Sequence, residues 1–364
     1  MKHRAAREEE SRARRPHAAD VEAGAKALQS GELVVFPTET VYGLGANALD
    51  ETAVAKIFEA KGRPADNPLI VHLHERDQLA SVVATVPEVA SVLFGIFSPG
   101  PLTLVLPASQ SVPRSVTAGL ATVAVRFPRH PIARELLRSS RLPVAAPSAN
   151  RSGEPSPTTL AMSRESLGTR VGIYIDGGPC EVGLESTVAA CTENQVTILR
   201  PGAVTASDIR AALPGVEVLH VFGEEHAGIG ADARRGAAIT PPSPGLKHRH
   251  YQPSVPVYTW QPGPLRERRI RFPSVELDQL LERGNAGVIC RRNGALASYA
   301  VGGYAPSRLT RVYADLEEYA RMLYLWFYQI DRERPEAIVA EMPEDAGIGL
   351  AIRDRLTRAA RGSL

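Results

Sequence analysis

With 364 residues the chain is long for one hydrophobic core and comfortable for two domains. Its 42 Lys and Arg stand against 40 Asp and Glu, a formal net charge of +2, so bulk charge argues neither for a nucleic-acid coat nor for an acidic partner. Three cysteines, Cys180, Cys191 and Cys290, form no CxxC pair and are odd in number, which excludes a disulfide framework or zinc ribbon and leaves free thiols in a reducing cytosol as the expectation.

The first residues, MKHRAAREEESRARRPHAAD, lack an apolar h-region, and Glu8, Glu9 and Glu10 are out of place in a transit peptide. They read as a solvated, disordered lead-in, and no later apolar run is long enough to span a bilayer. From about residue 20 short strand-like runs alternate with amphipathic helical ones, the pattern of an α/β domain. Glu32–Pro37 is an apolar strand, and Asp50 caps a helix that carries Val54, Ile57 and Phe58. Ala90–Phe97 is a helix stopped by Ser98-Pro99-Gly100-Pro101. Leu102–Leu106 and Thr122–Phe127 are strands, Pro131–Arg138 a helix, and Pro143–Ala146, Gly172–Asp176 and Gln195–Leu199 further strands. Residues 223–256 then turn rich in Gly, Pro and charge around Pro241-Pro242-Ser243-Pro244-Gly245, a connector in which helix and ladder strand are both unfavourable. Beyond it, Gly287–Arg291 and Ala337–Met342 read as strands and Asp315–Arg334 and Gly349–Arg361 as helices, which favours a small parallel sheet with covering helices.

No GxxxxGK[ST] loop and no GxGxxG fingerprint is present; Gly43 and Gly45 in VYGLGA read as a tight turn. Any nucleotide must therefore be held by side chains. Lys61 and Arg63 leave a helix end, where cations favour the macrodipole, but Pro64, Asn67 and Pro68 stiffen the following turn and would hold both on one side. Arg126 sits in the apolar strand TVAVRF and needs an anion: an internal Asp or Glu on one reading, a ligand carboxylate gripped by the planar fork on the other. Thr122 shares its face. Ser148, Asn150 and Ser156 follow a strand, as ligand loops do in α/β sheets, although a serine-rich turn needs no ligand; Ser186 and Arg200 are ambiguous in the same way. His72 reads first as a satisfied core histidine. His248 and His250 invite a metal, but no carboxylate or cysteine lies at ligand spacing, so no protein metal ligand is identified.

Taken together, PTETVYGL, KGRPADNPLIVH, SPGPLTLVL, TVAVRFP, APSANRSGEPSPT, and LESTV followed by ILRPG resemble the YrdC-like family in content, order and spacing. With SPGLKHRHYQP and the closing GIGLAIRDR, residues 20–360 resemble the long two-domain branch of that family, the threonylcarbamoyl-AMP synthases; only Tyr258–Pro273, rich in arginine, is hard to match. The resemblance implies an α/β architecture: a lead-in (1–19), a twisted mixed-sheet YrdC-like catalytic domain (20–218), a linker or lid (219–256) and a smaller Rossmann-like parallel α/β domain (257–364). It implies a cytoplasmic nucleotidyltransferase that joins L-threonine, bicarbonate or CO2 and ATP into threonylcarbamoyl-AMP and pyrophosphate, with Mg2+ accompanying ATP. The product would serve a downstream tRNA threonylcarbamoyl transferase complex. The implied residues are Lys61 and Arg63 for catalysis, and Thr38, His72, Arg126, Ala146 and Ser186 for threonine. Arg63, Asn67, Thr122, Ser148, Ser156, Arg200 and Tyr251 match nucleotide positions. Ser243–Pro253 would close over the pocket as a lid that keeps water from the labile anhydride. An RNA-binding protein without synthase activity is the main rival; against it, aromatic residues are only 5% and no basic stretch is interleaved with stacking rings.

Overall fold

The computed structural model describes residues 18–221, 251–261, 285–294, 296–297 and 308–361. The first domain opens with α1 (Ala18–Gln29), β1 (Val34–Phe36), β2 (Gly43–Asn47) and α2 (Glu51–Lys61). Then come β3 (Ile70–His72), α3 (Glu88–Phe97), β4 (Leu102–Pro107), β5 (Thr122–Arg126), α4 (Pro131–Ser140) and β6 (Val144–Ala145). α5 (Leu160–Leu167), β7 (Ile173–Tyr174), β8 (Thr187–Cys191), β9 (Gln195–Arg200), α6 (Ala206–Ala212) and β10 (Glu217–His220) complete it. The strands form one ten-stranded mixed sheet in the order β10-β9-β8-β4-β5-β3-β6-β2-β1-β7.

Two local devices place the chemistry-bearing segments. Asp50 caps α2 as its sequence position suggests, accepting from the Thr52 and Ala53 amides, and Gly62 ends the helix in the left-handed region at φ 58°. That stop falls between Lys61, the last helical residue, and Arg63, which follows in the loop. The second device is register. β3 lies parallel to β5 with His72 opposite Arg126, and β4 lies antiparallel with Thr103 opposite Arg126. β8 pairs with β9 so that Val188 faces Arg200. Arg200, Thr103, Arg126 and His72 therefore stand in one row along a single edge of the sheet, where β3, β5 and β9 all end.

One sequence expectation fails here. Gly43 and Gly45 are not a turn but part of β2, a central strand between β1 and β6. Their lack of side chains makes room for the Phe36 ring: a Cβ on Gly45 would come within 2.9 Å of Phe36 Cε1. Two glycines close together read as a bend, yet the constraint that selects them is lateral packing. The lead-in boundary also moves, since α1 begins at Ala18; the remainder of the lead-in lies outside the described residues. β10 carries the sheet to His220, two residues into the expected linker, most of which likewise lies outside the described residues.

The second domain is a four-stranded, all-parallel sheet of β11 (Val257–Trp260), β12 (Ala286–Arg291), β13 (Thr310–Tyr313) and β14 (Ala337–Glu341), ordered β11-β14-β12-β13. α7 (Leu316–Arg332) and α8 (Gly349–Arg361) belong to it. β12, β14 and both helices follow the sequence reading. β11 and β13 escaped it: β11 runs into the arginine-rich stretch, and β13, TRVY, is a half-exposed polar strand with only Tyr313 buried. No helix among the described residues is long and apolar enough to cross a membrane.

The domains share a core. Val41, Met162 and Leu184 of the first domain join Tyr251, Tyr319, Leu323, Tyr324, Phe327 and Leu356 in one buried apolar cluster. Gly183 permits the approach: its φ is +78°, and a Cβ there would lie 2.4 Å from the Arg321 Cα on α7. At the seam Gln252 N–H donates to Gly153 O, while Ser254 Oγ and Val255 N–H both donate to Asp331 Oδ1, so the chain entering the second domain is fastened on both sides.

Candidate active site

One cleft opens beside the row of strand ends, lined among others by Thr38, Arg63, His72, Arg126, Ala146, Ser148, Ser156, Ser186, Arg200 and Tyr251. Ten of the thirteen residues expected from the sequence thus meet in one place, brought from seven separate segments. At one end stands Arg126. Its Nη2 is 2.7 Å from Glu39 Oε1 and its Nη1 donates to Thr40 Oγ1 at 2.8 Å. The internal acid of one sequence reading is present, and the arginine also lines the cleft. Glu39 is almost wholly buried, and the backbone amides of Arg129 and His130 also donate to it. Burial would push its pKa up, but Arg126 outweighs that and holds the carboxylate below its usual range.

Beside the pair, Thr38 Oγ donates to Val41 O at 2.6 Å and accepts from the Thr40 and Val41 amides, a local turn that fixes the PTET loop. His72 is buried with Nδ1 3.2 Å from Ile70 O, and the edge of its ring meets Phe36. Burial first, and Arg126 second, pull its pKa down to about 3, so the imidazole is uncharged at neutral pH. It is therefore poor at storing a proton and is better suited to orienting a polar ligand.

Farther along the cleft Arg200 donates through Nε and Nη2 to Ser186 O and through Nη2 to Ser186 Oγ, which bonds Thr103 Oγ1 at 2.7 Å; Thr103 is opposite Arg126, so Ser186 stands between the two ends. Arg63 donates to Asn67 O at 3.1 Å, and its buried Nε has no hydrogen-bond partner among the described residues. Burial draws the Arg63 pKa down to about 10, still a cation at neutral pH. A buried guanidinium with a spare donor, facing a cleft, is arranged for an anion.

Three expected residues stand off the cleft wall. Lys61 is buried behind the Ser148–Asn150 loop, donating to Ser148 O at 2.5 Å and Asn150 O at 2.6 Å. Burial, with Arg63 beside it, lowers its pKa well below the ordinary lysine value. Its position braces the loop that presents Ser148. Asn67 is buried beneath Arg63, and its carbonyl is that residue's acceptor. Thr122 opens β5 opposite Pro107, four residues and about 13 Å along an extended strand from Arg126.

The sequence reading missed Glu39, Thr40 and Thr103, which hold Arg126 and Ser186, and also Glu185, Tyr324 and Arg355. Glu185 is buried and accepts from Ser156 Oγ, Tyr324 Oη and Arg355 Nε. A signal for Arg355 existed: it falls on the apolar stripe Ile352, Leu356, Ala359 of α8, where an arginine requires a buried acceptor. The three cysteines are free and buried, and burial raises every thiol pKa, Cys191 to about 12 and Cys290 to about 11, which removes them as nucleophiles. Among the described residues no three His, Cys, Asp or Glu side chains are placed to hold a metal ion; His248 and His250 lie outside those residues.

Known proteins match most of the chain. A family model described as telomere recombination, covering Sua5, YciO and YrdC, matches residues 26–202, and the model of the threonylcarbamoyl-AMP synthase C-terminal domain matches residues 204–361. The threonylcarbamoyl-AMP synthase of Pyrococcus abyssi is 43% identical over 333 residues, 91% of each chain, and that of Bacillus subtilis 42% identical over 345 residues, 93% of this chain and 92% of its own. The crystal structure of P. abyssi Sua5 complexed with L-threonine superposes with a TM-score of 0.78 at 40% identity, covering 94% of both chains. The chain thus belongs to the Sua5/YrdC family of two-domain threonylcarbamoyl-AMP synthases, which are nucleotidyltransferases.

Proposed function

We propose that the cleft takes L-threonine at its Arg126 end, against Thr38, His72, Ala146 and Ser186, and ATP at its Arg63 and Arg200 end, against Ser148, Ser156 and Tyr251. Threonine's neutral amine adds to CO2 with loss of a proton, or to bicarbonate with loss of water, to give a carbamate. A carbamate oxygen then attacks the α-phosphorus of ATP, and the bond to the β-phosphate breaks with pyrophosphate carrying away the electron pair. Mg2+ enters as part of the ATP substrate, sharing the charge of the triphosphate.

The observation that carries this reading is the convergence of Arg63, Arg126 and Arg200, from three separate segments, on one cleft. Two anions must be brought together, so the work is positioning and charge neutralisation, and no covalent nucleophile is called for. Arg126 would take the threonine carboxylate on the side of its fork away from Glu39. Neutral His72 would orient the substrate. Lys61 and Asn67 would act at one remove, through the Ser148 loop and through Arg63. Tyr251, at the end of the linker, would cover the nucleotide, and the activated product would pass to a transferase acting on tRNA. Thr122 is assigned no direct contact.

The test is pyrophosphate release from ATP with threonine and bicarbonate each added or omitted, in the wild type and Arg126→Ala. Release that requires both co-substrates and collapses in the variant supports the proposal. Release independent of threonine, or unchanged in Arg126→Ala, overturns it.

A further inference from the structure

We infer that the second domain is a positioning module for the nucleotide end of the cleft, acting through Tyr324 and Arg355, and that it leaves the threonine end largely untouched. The inference rests on the assignment of the two ends given above.

The connections are short and buried. Tyr324 on α7 donates to Glu185 Oε2 at 3.0 Å, and Arg355 on α8 donates to the same oxygen from Nε at 3.0 Å. The other carboxylate oxygen of Glu185 accepts from Ser156 Oγ at 2.5 Å. Arg355 Nη1 also donates to the carbonyl of Pro201, the residue after Arg200, at 2.8 Å, and Asp354 neutralises it further at 3.0 Å. The Tyr324 ring stacks on Tyr251 at 5.4 Å between centroids, and the Arg355 guanidinium lies 5.8 Å from the Tyr251 centroid. Ser156, Arg200 and Tyr251 are thus each one contact, or one residue, from a side chain of the second domain or from Glu185, which that domain holds. Thr38, His72 and Arg126 are instead fixed by Val41, Ile70, Thr40, Gly100 and Glu39 of the first domain, and Ser186, which Arg200 bonds, is the one residue of the threonine end next to the joint.

Two physical points make this more than domain adhesion. First, Tyr251 sits at φ +68°, a left-handed conformation costly for a non-glycine residue, so its place in the cleft depends on what stacks against it. Second, Arg355 is wholly buried, and its only carboxylate partners among the described residues are Glu185 and Asp354. Burial opposes the charge of Glu185, yet Arg355, Arg200 and Ser156 together hold its carboxylate below the usual range. Glu185 remains an anion between two arginines, one from each domain, and so frames Arg200 for a phosphate. Each link is a positioning contact, with no demand that Tyr324 or Arg355 touch substrate.

Tyr324→Phe in the full chain is the cleanest probe, because it keeps the ring on Tyr251 and removes only the hydroxyl from Glu185. Losing one hydrogen bond to a buried carboxylate should raise KM for ATP and Kd for AMP about tenfold. KM and Kd for L-threonine should stay within about twofold, and the melting temperature near that of the wild type. Arg355→Lys, which keeps the charge but cannot bridge Glu185 and Pro201 with one planar fork, should show the same split more strongly. Equal changes for AMP and threonine would mean a merely structural role, and unchanged AMP affinity in a folded Tyr324→Phe chain would mean no coupling; either overturns the inference. Calorimetry with AMP reads the effect without turnover. A wild type that binds AMP but releases no pyrophosphate therefore counts against the proposed reaction and leaves the inference to be decided by the AMP titration.

Discussion

Two buried arginine–glutamate pairs flank the cleft, and they differ in what they join. Arg126 and Glu39 belong to one domain and to neighbouring loop and strand ends. Arg355 and Glu185 are 170 residues apart and belong to two domains. Each glutamate has a buried position that would favour its neutral form, and each is kept ionised by the guanidinium beside it. The first pair builds a wall of the site; the second makes the other wall conditional on the docking of a separate fold. The same charge device thus serves as architecture in one place and as a joint in the other.

The comparison can be broken most forcefully at Arg126. Removing it leaves Glu39 as an uncompensated buried charge, a loss of about 3–5 kcal/mol. Arg126→Ala should therefore lower the melting temperature as well as reduce threonine-dependent pyrophosphate release by about a hundredfold or more. Steady-state assays beside calorimetric melts check both. Next comes the joint. Gly183→Ala places a methyl group 2.4 Å from the α7 backbone at a positive φ, a strain on the order of 1–3 kcal/mol. It should loosen docking and raise KM for ATP several-fold more than KM for threonine.

A pH series sharpens the contrast between charged and neutral buried groups. His72 is held neutral in the fold with a pKa near 3, whereas an unfolded histidine binds its proton near pH 6.5. Below that value the unfolded chain takes up a proton that the native state refuses, so stability should fall as pH drops from about 6.5 toward 3, and His72→Gln should flatten that slope. Glu39 and Glu185 have lowered pKa values, so their contribution is full above the unfolded carboxylate range, near 4.3, and is lost only as pH falls through their native values. The smallest effect is expected at the exposed edge of the interface, where Glu165 contacts both Arg332 and Tyr328. Glu165→Ala should cost less than about 1 kcal/mol by urea unfolding and leave KM for ATP unchanged.

Much of the first domain was legible because its elements announce themselves: Asp50 as a cap, TVAVRF as an apolar strand with one charge, SPGP as a stop. The fold class and the expected site residues on the cleft wall followed from those runs and from the family resemblance. What escaped was set by tertiary neighbours. β2 carries two glycines because of Phe36, which no local pattern reveals. β11 and β13 are short and mixed in polarity, so period alone does not separate them from loop. Lys61, a lysine beside an arginine in a stiff turn, has the chemistry of a phosphate ligand; its contacts with the Ser148 and Asn150 carbonyls come from a distant loop that no local pattern reveals. Glu185 lay in plain view in LESTV, but two of its partners, Tyr324 and Arg355, come from a domain more than a hundred residues later.

The bare backbone of β2 has a reach beyond its own strand. Phe36 occupies the space that side chains at positions 43 and 45 would fill, and its ring supports the imidazole of His72 edge-on at 6.2 Å. A single methyl at position 45 would displace that ring, and with it the neutral histidine beside the expected amino-acid pocket. Hydrogen atoms in place of side chains, two strands away, are thereby tied to how well a threonine can be seated.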